Sequence, residues 1–172
     1  MKRFGLLVLV TCVWVAGCDD DNAPAPTNIP LVFSALLSPA NEVPAITNAE
    51  TSGSGAVQVT IVPTLDASGN ITAATTTFHI QLYGFPAGVP VTGAHIHSGV
   101  AGVAGPVRVN TGVVPGQLQL SNEGSLELNI SSVTTDPAIA SAIVANPSAW
   151  YFNIHSTSNP GGFARGQLSR VQ

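Results

Sequence analysis

Two histidines, His95 and His97, stand one residue apart in "GAHIHSG", and a third, His155, closes the run "WYFNIH". On an extended strand, residues i and i+2 point to one face about 6.5–7 Å apart. Two imidazoles can converge on one ion from that spacing, so His-x-His on a strand is a sound half-site for Zn²⁺ or Cu²⁺, and His155 is a candidate third ligand. A second chemistry is open to the same residues. Both motifs run into loops rich in Gly, Ser, Thr and Asn, whose backbone groups need partners when covered. A network of His95, His97, Asn153, His155 and Arg165 would tie those loops down, each neutral imidazole offering one donor and one acceptor. Arg165 favours the network, because a fixed cation opposes a bound metal ion, and neither motif contains an acid. The two readings differ at the ring nitrogens. A metal site needs them convergent and free, whereas a network needs each to find a protein partner.

Catalysis by other routes finds little here. Ser98 and Ser156 lack a nucleophile elbow. The glycines from Gly99 to Gly105 are followed by no lysine and by a strand pattern, not a helix N-terminus, so they do not make a phosphate loop. Glu42 is the acid placed to partner Arg165.

The elements that must carry these side chains read with period two. Val57, Val59 and Ile61 alternate with polar residues, as do Phe78, Ile80 and Leu82, then Leu118, Leu120, Leu126, Leu128 and Ile130. These are half-buried strands with one wet face. Eight are expected, near 31–37, 55–62, 71–83, 92–97, 106–111, 117–130 (a broken hairpin), 148–155 and 163–169. That spacing predicts an all-β, antiparallel sandwich. One short helix is expected after Asp136, a good N-cap followed by Pro137, ending at Asn146-Pro147. Within "WYFNIHSTSNPGGFARGQL", Trp150, Phe152 and Ile154 should face the core. A turn at Asn159-Pro160-Gly161-Gly162, with Gly161 taking positive φ, would return Arg165 and Gln167 to the face of Asn153 and His155. The histidines should gather at one end of the sandwich, where loops collect.

The amino terminus concerns address. Lys2 and Arg3 precede an apolar run from Phe4 to Ala16, the layout of a signal peptide over residues 1–17. Val15-Ala16-Gly17-Cys18 resembles a bacterial lipobox, which implies acylation of Cys18. Residues 18–30, acidic then Pro-rich, read as a tether. Residues 31–172 are one domain in size. Cys12 would leave with the signal and Cys18 would be consumed by lipid, so the mature domain has no thiol for catalysis or zinc ligation. It would keep three basic residues against nine acids, a formal −6, which leaves no basic footprint for nucleic acid. Membrane association then depends on the lipid, and the expected address is extracytoplasmic, in a bacterial cell envelope.

Three stretches, "NEVP" at Asn41–Pro44, "GAHIHSG" with the later "GPV", and "YFNIHSTSNPGGFARGQL", together resemble the CHRD domain, first named from chordin, over about residues 31 to 169. The resemblance implies an extracytoplasmic, immunoglobulin-like β-sandwich and carries no activity with it. Family members read Gly-Glu-Ile-Arg-Gly-Gln at the final strand. Here Phe163-Ala164 precede Arg165, so that glutamate is missing. The function that follows is a lipid-anchored, non-enzymatic binding or adhesion module for an extracytoplasmic protein or glycan, with a cluster of His95, His97, Asn153, His155, Arg165 and Gln167. The alternative is a Zn or Cu protein, or an oxidoreductase, using His95, His97 and His155.

Overall fold

The computed structural model describes residues 28–171. The proposed signal peptide, Cys18 and most of the tether lie outside that range. Alternation of β-branched and polar residues gives ten strands in two antiparallel sheets. The strands are β1 (Leu31–Leu37), β2 (Ser54–Leu65), β3 (Ile71–Tyr83), β4 (Pro90–Ser98), β5 (Val107–Asn110), β6 (Leu118–Gln119), β7 (Leu126–Thr135), β8 (Trp150–Ser156), β9 (Ala164–Gln167) and β10 (Ser169–Arg170). The first sheet runs β10-β1-β2-β3-β7. The second runs β5-β4-β8-β9, with β6 also pairing β4. The expected all-β sandwich with one helix is what forms.

The core lies between the sheets. Phe33, Phe78, Ile80 and Leu82 from the first meet Ile96, Phe152 and Ile154 from the second, all nearly inaccessible to water. The rings of Phe78 and Phe152 touch across the gap, their centroids 5.7 Å apart. Burying each such side chain contributes roughly 1.5–3 kcal/mol. The helix α1 (Pro137–Ala145) starts as expected: the Asp136 carboxylate accepts from the backbone N–H of Ala138 and Ile139. It packs Ala140 and Ile143 inward, against β2 and β3.

Two expected elements are corrected. The segment 117–130 is not a hairpin, because β6 joins β4 while β7 joins β3 in the other sheet. The Ser121–Gly124 turn carries the chain across between the sheets, with Leu120 buried beside it. The segment 163–169 is likewise two strands. The Leu168 N–H bonds Trp150 O at 2.9 Å and ends pairing with β8, after which β10 pairs β1. Alternation of apolar residues reads the same whether a chain turns back on its neighbour or crosses to the facing sheet.

The outer face of the second sheet also departs from the wet face expected of it. All seven residues of β8 are buried. Trp150, Phe152 and Ile154 join the apolar core, and Tyr151, Asn153 and His155 sit on the opposite face, under loops.

Candidate metal centre

Pairing places the side chains. In the second sheet β8 lies between β4 and β9, with His95 opposite Asn153 and Asn153 opposite Arg165. His97 is opposite Tyr151, and Tyr151 is opposite Gln167. The expected hairpin register is therefore the observed one. His155 is opposite Gly93, which carries no side chain, and the His95 ring occupies the space this leaves. A Cβ at residue 93 would lie 2.8 Å from His95 Cε1. The three imidazoles meet there, with centroid separations of 4.9 Å for His95–His155, 5.6 Å for His97–His155 and 5.7 Å for His95–His97. They gather on the broad outer face of the sheet, held by strands, and not on the loops at a tip.

Two loops close over them. The loop after β4 brings the Gly105 carbonyl to 2.9 Å from His97 Nδ1, and the loop after β8 brings the Pro160 carbonyl to 2.9 Å from His155 Nδ1. A carbonyl only accepts, so both Nδ1 atoms carry the proton and donate it. In the neutral rings, Nε2 is then a bare lone pair. Nε2 of His97, Nε2 of His155 and Nδ1 of His95 are all buried, and none has a hydrogen-bond partner among the described residues. The network reading needed a partner for every ring nitrogen, and each ring leaves one without. A buried polar atom left unpaired costs about 1–3 kcal/mol, and each of the three rings carries one.

The rings are held neutral. Burial pushes His95 down to about 4, helped by repulsion from His155 and His97. Burial lowers His97 as well, against the bond to Gly105, with His155 and Arg165 adding repulsion. His155 is lowered by burial, partly offset by its bond to Pro160. Neutral imidazole is the form that binds metal. One ligand atom from each ring lies within 4.8 Å of the others. Closing on an ion at 2.0–2.1 Å would draw them to roughly 3.3–3.5 Å, a small swing of side chains already facing one another. Donation of the second ring nitrogen to a carbonyl, seen at His97 and His155, is how metal-bound histidines are oriented.

The remaining members of the expected cluster do different work. Arg165 Nη2 donates to the carbonyls of Val100 and Val103 and to Gln167 Oε1. Gln167 Nε2 donates to the carbonyls of Gly99, Ser148 and Trp150. These two peg the loops. Asn153 Nδ2 donates to Gly161 O at 3.0 Å and reaches Glu42 Oε2 at 3.5 Å. A Cβ at residue 162 would strike the Asn153 amide, and the positive φ of the turn falls at Gly162 (φ 129°), one residue later than expected. Glu42 makes no ion pair with Arg165 among the described residues. Burial pushes its carboxyl up to about 7, against the lowering by the Arg165 charge and the Asn153 amide.

Two participants were not expected. Tyr151, on the face away from the core, is 2 % exposed and lies between partners: its ring stacks on His97 at 4.8 Å, and the Arg165 guanidinium carbon sits 3.4 Å from its centroid. Its position two residues before Asn153 was the available signal. Gly93, two residues before His95, is the other. The fourth histidine, His79, pairs with Glu127 at 3.0 Å on the first sheet, outside the cluster.

Gly93→Ala is expected to leave β4 in place and push the His95 ring aside. Zn²⁺ or Cu²⁺ affinity should fall about tenfold or more, as when an orienting contact around a site is lost. The metal-free melting temperature should change by no more than a few degrees. Competitive chelator titration beside a melting curve checks both.

No curated protein and no solved structure gives a significant match to this chain. The family model described as the CHRD domain matches residues 33–168, a span that begins in β1 and ends at Leu168 and so includes all three histidines and the sandwich around them. The chain belongs to the CHRD domain family.

Proposed function

We propose that this CHRD domain is a metal-binding module of the bacterial cell envelope, holding one Zn²⁺ or copper ion on His95, His97 and His155 and tethered by lipid on Cys18. The observation that carries the metal reading is the set of three buried ring nitrogens without partners, one per histidine, two of them aimed by carbonyl bonds on the opposite ring atom. The anchor is supported by the basic start, the apolar run and Val15-Ala16-Gly17-Cys18. The module binds and does not catalyse. Among the described residues, the Glu50 carboxylate is held by Ser156 and Asn159, and one oxygen of Glu42 is reached by Asn153.

Elemental analysis of the purified protein after incubation with Zn²⁺ or Cu²⁺ and desalting tests the reading. One equivalent per chain is expected, and none when His95, His97 and His155 are all replaced by Ala. Equal metal content in the two proteins would refute it. Cys18→Ser should release the chain from the membrane fraction, and retention there would refute the anchor.

A further inference from the structure

Resting on that metal reading, we infer that the tri-histidine site prefers the singly charged cuprous ion, Cu⁺, over Cu²⁺ and Zn²⁺, and that Arg165 sets much of this preference. Four features of the layer point the same way.

The ligand set carries no charge. All three donors are imidazole nitrogens, and among the described residues the group that they form contains no carboxylate. A dication would enter with both its charges uncompensated.

A fixed cation stands nearby. Arg165 is 2 % exposed, pinned by the carbonyls of Val100 and Val103, and lies over Tyr151, whose other neighbour is the His97 ring. One ring separates its charge from a ligand: the guanidinium carbon is 3.4 Å from the Tyr151 centroid, and that ring stacks on His97 at 4.8 Å. Guanidinium cannot shed its proton to relieve the repulsion. Coulomb repulsion is linear in the charge of the ion, so a dication suffers twice what Cu⁺ does.

Two of the three ligand residues are also shielded from water, with His95 half-buried beside them. His97 and His155 are 6 % and 9 % exposed. The cost of bringing an ion out of water grows with the square of its charge, so it is about fourfold larger for a dication.

Finally, the coordination number fits. Strands β4 and β8 supply three nitrogens. Cu⁺, a d¹⁰ ion, is satisfied by three donors in a plane. Zn²⁺ would have to bring a water into the layer as its fourth ligand, and Cu²⁺ prefers a tetragonal set that needs more than three donors.

The test compares affinities in the purified full chain. Cu⁺ is titrated anaerobically against bicinchoninate under reductant. Cu²⁺ and Zn²⁺ are titrated against nitrilotriacetate. The expected dissociation constant for Cu⁺ is at least tenfold below that for Cu²⁺ and below that for Zn²⁺. R165Q should narrow the Cu⁺ to Cu²⁺ ratio by about tenfold, mainly by tightening Cu²⁺, while R165K, which keeps the charge, should retain most of the preference. Cu²⁺ or Zn²⁺ binding as tight as Cu⁺ in the wild type overturns the inference and leaves the metal site standing. An unchanged ratio in folded R165Q overturns the role given to Arg165. Should R165Q not fold, the wild-type ratio and R165K still decide. If none of the three ions binds, both the inference and the metal reading fall.

Discussion

With the proposed site holding metal, the wild type should melt higher in its presence, and His97→Ala is expected to abolish that rise. A ligand present at 1,000 times its dissociation constant stabilises the state it binds by about 4 kcal/mol. For a domain of this size that corresponds to roughly 8–16 °C. The metal-free protein should lose much less, because the hydrogen bond removed is that of Nδ1 to Gly105 O, worth about 1 kcal/mol, together with part of the stack on Tyr151. No bond is lost at Nε2, which has no protein partner to strand. Differential scanning with free Zn²⁺ at about 1,000 times its dissociation constant and with a chelator separates the two contributions. If the variant loses the same number of degrees in both, His97 is a loop peg and no ligand.

The second large effect is on acidification without metal. The three imidazoles have folded-state pKa values below the ordinary histidine value, about 4 for His95. The unfolded chain therefore takes up protons first as pH drops below about 6.5. Their contribution to stability is fully present above that value and is lost as pH falls through the folded-state values. Glu42 runs the other way. Its carboxyl is raised to about 7, so its contribution is complete below the ordinary carboxyl value and is lost as pH rises through 7. His95 and Glu42 largely offset one another over this range, so His97 and His155, both lowered by burial, decide the sign, and the melting temperature in chelator should fall between about pH 7 and pH 4.5. Glu42→Gln removes the opposing trend and should steepen the fall. A flat profile in both proteins would mean that the rings are already solvated in the folded state.

Much of this arrangement is legible in the sequence, and the gaps have physical causes. Alternation fixed which residues of β4 and β8 turn inward, and turn chemistry placed Asn153 opposite Arg165 in the observed register. Asp136 and Pro137 announced the helix start. Alternation is silent, however, on what covers a polar face. Tyr151, Asn153 and His155 look like a solvated stripe until the loops after β4 and β8 fold over them, and those loops have no periodicity to read. The network and metal readings differ at single nitrogen atoms, and the proposal above rests on those. Sequence lists the imidazoles but cannot count which ring positions find a carbonyl.

The carbonyls that orient His97 and His155 belong to the main chain, at Gly105 and Pro160. Every residue type carries such an oxygen, so substitution by itself removes neither acceptor. What holds the rings is the route the backbone takes, not the identity of a neighbouring side chain. A mutational scan of the two loops would therefore find few positions that silence the site through lost hydrogen bonds. The sensitive ones would be those that set the path, such as Gly105, where an added Cβ would collide with the Ser98 carbonyl. Inheritance of the site is thus written partly in chain geometry, where a comparison of side chains alone would overlook it.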